Sequence, residues 1–182
     1  MNINADGGGL CRAVLLVMLL NLGYFGVEFA VALAIGSVSL VADSIDFLED
    51  ASINFLIAVA LGWSAIRRAR VGMLLAGILL IPGLATVWMA WQKFNLPIAP
   101  APIALSLAGA GALAVNLTCV LLLTGYRHHS GSLTRVAFLS ARNDAAANVA
   151  IIATGFVTAL TLSAWPDLIV GLAIAEIGRA HV

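Results

Sequence analysis

The chain has 182 residues, of which 62% are hydrophobic and 10% are charged, and its nine basic and nine acidic side chains balance to a net charge of zero. Soluble domains contain about 45–50% apolar and ~25% charged residues, so the composition excludes a soluble enzyme, a nucleic-acid-binding protein and a disulfide-stapled secreted module. Since a membrane-spanning helix needs roughly 20 apolar residues, the length leaves room for about six spans.

Apolar segments in chain order predict an all-α, polytopic membrane protein built as a six-transmembrane-helix bundle. A polar tail, residues 1–9, precedes a single transmembrane domain over 10–182. The predicted spans are 10–35, 38–66, 71–91, 103–126, 136–162 and 168–182. Gly36-Ser37 separates the first two spans, and the arginines at 67–70 form a predicted basic loop before the third. The last segment is too short to cross a bilayer, so we expect a truncated sixth helix and no C-terminal cytosolic domain in this chain.

The basic residues predict the orientation of the bundle. The side of the membrane that holds the N-terminus would carry six arginines, namely Arg12, Arg67, Arg68, Arg70, Arg127 and Arg135. The opposite side would carry Lys93 alone. Because cytoplasmic segments are enriched in lysine and arginine, we predict a cytoplasmic N-terminus.

Four acidic residues lie in the first half of the second span: Asp43, Asp46, Glu49 and Asp50. Positions 43, 46 and 50 are separated by three and four residues, so their carboxylates share one face of a helix. A charge inside the bilayer is costly, and such residues usually face the interior of a bundle or a wet cavity. Like charges this close to one another favour a bound cation.

The fifth span carries a matching polar stripe, because Ser140, Asp144 and Asn148 are four residues apart, as are positions 46, 50 and 54 of the second span. Two helices that each offer oxygen atoms at this spacing can enclose a cation, which predicts an ion site between them. The alternative is a seam of helix–helix hydrogen bonds that holds no ion. Glu28 in the first span and Asn116 in the fourth are interpreted as packing contacts of that kind.

The residues around the second-span acids resemble a known family. Positions 36–50 read Gly-Ser-Val-Ser-Leu-Val-Ala-Asp-Ser-Ile-Asp-Phe-Leu-Glu-Asp. They are similar to the pattern of the cation diffusion facilitator family, which has Gly-Ser-x-x-Leu-x-x-Asp, then His or Asp, then a second Asp four residues later. The resemblance covers nearly the whole chain. It implies a metal site made by Asp46, Asp50, Ser140 and Asp144. Asp43 and Asn148, which lie on the same polar stripes, and Asn143, which is adjacent to Asp144, are secondary candidates.

This resemblance also implies a function. Members are secondary transporters that export a divalent metal cation from the cytosol in exchange for protons, by alternating access in a homodimer. We therefore expect no enzyme activity, no permanently bound cofactor and no nucleic-acid partner, and a location in the plasma (inner) membrane of a bacterium. Ser140 departs from the family pattern, which usually has His or Asp there. The resulting oxygen-only ligand set favours manganese or iron over zinc, although zinc also accepts carboxylates.

Two other functions remain open on the sequence. One is a non-transporting membrane scaffold or sensor subunit whose polar seam holds helices together without moving an ion. The other is a passive cation channel. Metal flux, and its dependence on protons, distinguishes these alternatives from a proton-coupled transporter.

Overall fold

Six helices make up the part of the chain that the computed structural model describes, which is residues 3–60, 63–126 and 132–179. They are α1 (Ile3–Ile35), α2 (Val38–Ala60), α3 (Ala65–Asn95), α4 (Pro102–Thr124), α5 (Ser132–Thr161) and α6 (Trp165–Arg179). The described residues form no strand, so the predicted all-α fold is confirmed.

Four of these helices are long and apolar enough to cross a membrane. The qualifying stretches are Gly8–Ile35, Ala69–Asn95, Pro102–Thr124 and Thr134–Thr161. Of the two other helices, α2 carries the four acidic residues and α6 has 15 residues. Because α2 contacts each of the other five helices, it lies within the bundle that the longer helices form. The fold is that of a polytopic membrane protein.

The structure corrects the boundary between the second and third spans. The arginines at 67–70 were predicted to form a loop, but they lie in the first turns of α3, since α2 ends at Ala60 and α3 begins at Ala65. The physical reason is the N-cap residue Ser64, whose side chain accepts a hydrogen bond from the backbone N–H of Arg67. A serine at this position satisfies one of the unpaired donors of the first helical turn.

Other helix ends also differ from the prediction. Helix α3 continues through Pro82 as far as Asn95 instead of ending at position 91. Helix α5 begins four residues early, at Ser132 rather than 136. Helix α6 begins at Trp165 rather than 168, because Pro166 fits the first turn of a helix, where the missing N–H costs nothing.

The turn between α1 and α2 is the predicted Gly36-Ser37 break. Gly36 has a positive φ of 64°, a left-handed conformation that glycine adopts without the steric cost that a side chain brings. We use "the Gly36 end" for the end of the bundle at which this turn lies. The C-terminus of α3 and the N-terminus of α6 lie at the same end, since Lys93 and Asp167 both contact the Gly36-Ser37 turn.

The buried side chains of the described residues form three clusters. The smallest consists of Val38, Ala90 and Leu168 at the Gly36 end. Of the two larger ones, the one nearer that end includes Leu40, Leu105, Ile151 and Ile174, and the other includes Val14, Val17, Ile57, Leu123 and Ala141. The most extensive helix contacts are between α1 and α2 and between α4 and α5. By contrast, α3 contacts only α2 and α6 among the described helices, so most of its apolar surface is left to face lipid.

Candidate metal-binding site

The polar stripes of α2 and α5 meet at a cavity of about 440 Å³. Two acidic residues of α2 and three polar residues of α5 contribute to its wall, namely Asp46, Glu49, Ser140, Asn143 and Asp144. Small and branched apolar residues of α5 and α6 complete it: Ala146, Ala147, Ala150, Val170, Ala173 and Ile174. Three of the four principal site residues predicted from the sequence therefore line one cavity.

The fourth principal residue, Asp50, lies directly behind this wall. Its side chain is 2% exposed, and a hydrogen bond joins it to the side chain of Ser140. Asn54, one turn further along α2, donates its side-chain N–H to the backbone carbonyl of Asp50 at 2.8 Å. One carboxylate oxygen of Asp50, Oδ1, has no hydrogen-bond partner among the described residues. Ser140 thus connects the cavity with the buried carboxylate.

Two of the secondary candidates, Asp43 and Asn148, are bonded to each other and are not part of the cavity wall. Asn148 donates its Nδ2–H to Asp43 Oδ2 at 2.6 Å and accepts at Oδ1 a hydrogen bond of 3.0 Å from Asn116. Glu28 of α1 lies close enough to the same Asp43 for their charges to interact, but neither of its carboxylate oxygens has a hydrogen-bond partner among the described residues. These four side chains, each at most 1% exposed, form a polar chain across α1, α2, α4 and α5.

The sequence predicted some members of this polar chain as site residues and the others only as packing contacts. Glu28 and Asn116 were interpreted as packing contacts, and the Asn116–Asn148 hydrogen bond agrees with that interpretation. No spacing pattern could have paired them, because Asn116 and Asn148 are 32 positions apart on different helices. The signal available in the sequence was a polar residue within each apolar span.

The cavity is rich in acidic side chains. Asp144 lies within electrostatic range of four other carboxylates, those of Asp43, Asp46, Glu49 and Asp50. Arg142 of α5 is exposed and donates to the Asn143 side-chain oxygen at 3.5 Å. Carboxylate and amide oxygens are the ligands that hard divalent cations prefer, and such a cation would offset the repulsion between these acids.

The described residues contain no group of three or more His, Cys, Asp or Glu side chains arranged to hold a metal ion. The donors that the cavity does bring together come from two helices and are of mixed kind, with carboxylates, an amide and a hydroxyl. Each of these side chains can offer an oxygen atom to a cation.

The model of the cation efflux transmembrane domain matches residues 14–177 of this sequence, which is nearly all of the helical bundle. The chain belongs to the cation efflux family. A comparison with curated proteins found no match. Membership confirms the resemblance seen in the second span, and it identifies the bundle as the membrane domain of a metal cation efflux transporter. This cation efflux family is one of transporters rather than enzymes.

Proposed function

We propose that this cation efflux protein exports a divalent metal cation in exchange for protons, through the carboxylates between α2 and α5. The observation that carries the proposal is the shared cavity, to which α2 contributes Asp46 and α5 contributes Ser140 and Asp144. Asp50, bonded to Ser140, is the fourth member of the site. Ligands drawn from two separate helices suit alternating access, because a relative shift of the helices changes the distances between the ligands.

The chemistry of the ligands supports proton exchange. A carboxylate binds a metal ion only when it is deprotonated, so metal and protons compete for the same oxygen atoms. On the cytosolic side the metal displaces protons from Asp46, Asp50 and Asp144, and on the outer side protons displace the metal. The surrounding carboxylates strengthen both forms of cation binding, since each adds negative potential to a site that has little water to screen it.

The ligand set also supports a choice of metal. With oxygen donors at Asp46, Asp50, Ser140 and Asp144 and no imidazole or thiolate among them, manganese or iron is the favoured substrate and zinc a weaker one. The proposal includes the homodimer and the bacterial inner membrane implied by the sequence resemblance. The exposed apolar face of α3, which includes Leu80, Ile81 and Leu84 at 65–71% exposure, leaves surface for a second copy as well as for lipid.

Transport of Mn²⁺ into proteoliposomes with an imposed pH gradient tests this function. We expect uptake that increases with the gradient, and a loss of at least about a hundredfold in Asp50→Ala and Asp144→Ala, since removing a metal ligand costs more than the 10–100-fold typical of residues around the ligands. Glu176→Ala, which removes an exposed carboxylate of α6 that is not part of the cavity wall, is the matched control and should transport normally.

The same assay separates the alternatives. Mn²⁺ flux that ignores the pH gradient would identify a passive channel, and absence of flux under every gradient would identify a scaffold or sensor subunit. Normal transport by both Asp50→Ala and Asp144→Ala would remove the cavity between α2 and α5 from the mechanism.

A further inference from the structure

At the Gly36 end of the bundle, a carboxylate from α6 binds the first turn of α2. Asp167 Oδ2 accepts a hydrogen bond of 2.9 Å from the backbone N–H of Val38, and Oδ1 accepts one of 3.2 Å from that of Ser39. Asp167 is fully buried, at 0% exposure. It therefore caps α2 from another helix, satisfying N–H groups that have no partner within the helix and interacting favourably with the positive end of its dipole.

Two serine hydroxyls complete the binding of this carboxylate. Ser37 and Ser39 each donate to Asp167 Oδ1 at 2.6 Å. Ser37 Oγ also accepts from the backbone N–H of Leu40 at 3.2 Å, as a conventional N-cap residue does. The Gly-Ser-x-Ser sequence of the turn thus gives Asp167 a set of hydroxyl and backbone donors that are themselves buried.

Lys93 attaches the end of α3 to the same group. Its ammonium Nζ donates to Asp167 Oδ2 at 2.6 Å and to the backbone carbonyl of Gly36 at 2.6 Å. The lysine side chain is 6% exposed and that of Asp167 is fully buried. Charge-assisted hydrogen bonds of this length are about twice as strong as neutral ones, and shielding from water strengthens them further.

Close packing accompanies these bonds. A Cβ atom added at Gly171 of α6 would lie 2.8 Å from the backbone nitrogen of Ser39, so α6 contacts the first turn of α2 with no side chain between them. The rings of Phe94 and Trp165 meet edge to face, 5.9 Å apart, at the adjoining ends of α3 and α6. Three helices are therefore held together at one end of the bundle.

Two of these helices, α2 and α6, form the wall of the metal cavity together with α5. Helix α2 carries Asp46 and Asp50, and α6 contributes Val170 and Ile174 to the wall. Because helices are stiff over a few turns, moving the ends of α2 and α6 apart would open the cavity toward the Gly36 end. That separation requires the bonds of Asp167 to break.

We propose that Lys93, Asp167 and the Gly36–Ser39 turn form a latch that closes the cavity toward the Gly36 end, and that the latch opens when the transporter exposes its site on that side. The inference rests on the alternating access of the proposed function. In the predicted orientation the Gly36 end is the outer one, so the described structure is closed to the outside. Neutralising either charged member weakens the closed state and shifts the population toward the open one.

Accessibility of the cavity tests the latch without requiring transport. In a chain in which Cys11 and Cys119 are replaced by Ala, Ala147→Cys places a single thiol in the cavity wall, and a membrane-impermeant thiol reagent is applied from the Gly36-end side. We expect Asp167→Asn and Lys93→Met to raise the modification rate at least about tenfold, the shift that one charged hydrogen bond can produce. Lys93→Arg, which keeps the charge, should stay close to the parent rate.

The melting temperature in detergent and the binding of Mn²⁺ serve as controls that each variant is folded. Lys93→Met is the milder variant, because it leaves the serine and backbone hydrogen bonds of Asp167 in place. An unchanged modification rate in folded Lys93→Met and Asp167→Asn proteins would overturn the latch. Equal increases in Lys93→Met and Lys93→Arg would also overturn it, since they would show that the ion pair is not what holds the end closed.

A reversible cross-link provides the opposite test. Val38→Cys and Leu168→Cys, at two positions of one buried cluster, are joined by oxidation to a disulfide that holds the ends of α2 and α6 together. We expect the cross-linked protein to bind Mn²⁺ but to transport at least about tenfold more slowly, and a reductant to restore the rate. Equal transport before and after reduction would overturn the latch, whereas absence of transport in the never-cross-linked protein would count against the proposed function instead.

Discussion

Ser140 is the cavity residue whose chemistry most directly affects the choice of metal. Its side chain lines the cavity and is hydrogen-bonded to Asp50, so a side chain placed there reaches the same space as the other ligands. Imidazole is a better ligand for zinc than for manganese. We therefore expect Ser140→His to raise the ratio of zinc to manganese affinity on the order of tenfold, the lower end of the effect of one residue at a metal site.

Competition binding of the two metals to purified protein measures this ratio. Ser140→Thr keeps the hydroxyl and is the matched control, for which the ratio should stay within about twofold of that of the parent protein. A ratio that stays constant or falls in Ser140→His would mean that position 140 does not contact the metal.

At the scale of the helices, the polar chain through Asn116, Asn148 and Asp43 joins α4, α5 and α2. In Asn116→Ala, the buried Oδ1 of Asn148 loses its 3.0 Å donor. An unsatisfied buried acceptor costs about 1–3 kcal/mol, and hydrogen bonds between membrane helices average about 0.6 kcal/mol. We expect a loss of about 1 kcal/mol in the free energy of unfolding, measured by denaturant titration in mixed micelles.

Thr118→Ala is the matched control for this loss. Thr118 lies on the same helix but is exposed, and its hydroxyl donates to the Ala114 carbonyl of its own helix at 2.7 Å. Its removal should change the free energy of unfolding by no more than about 0.5 kcal/mol, as is usual for surface positions. Equal losses in the two variants would show that the polar chain does not hold α4 to α5.

The helices themselves could be predicted well, and their contacts could not. Apolar runs and the Gly36-Ser37 break gave the number and order of the helices, because both are local properties of the sequence. Ser64 could have placed the start of α3 correctly, since a serine before a helical run is an N-cap signal. The Lys93–Asp167 pair had no such signal, because its members are 74 positions apart and meet only through the packing of α2, α3 and α6.

In the candidate site, too, the local arrangement on each helix could be predicted and the contacts between helices could not. Helical spacing placed Asp46 and Asp50 on one face of α2, and Ser140 and Asp144 on one face of α5, and the structure brings three of these to one cavity. Asp43 and Asn148 share those faces but bond to each other outside the cavity wall. Residue spacing predicts on which side of its helix a side chain lies, but not at which height along the helix a neighbouring helix crosses. It therefore could not separate the residues that line the cavity from the Asp43–Asn148 pair.

At the scale of the whole molecule, the orientation of the bundle in the membrane sets the direction of efflux. The two ends of α3 can be used to test this orientation. Ser64 and Asn95 are both exposed and lie at opposite ends of this helix, at its N-cap and its last residue. Arginines surround the Ser64 end and Lys93 is near the other. The bias of basic residues toward the cytosol therefore predicts that Asn95 faces outward and Ser64 inward.

Two single-cysteine variants decide the point, each made in the chain that lacks Cys11 and Cys119. In intact cells, we expect a membrane-impermeant maleimide to modify Asn95→Cys, and to modify Ser64→Cys only after the membrane is permeabilised. The reverse pattern would place the Gly36 end in the cytosol. The latch of Lys93 and Asp167 would then close the cavity on its metal-loading side, so this labelling assigns the direction of every later transport measurement.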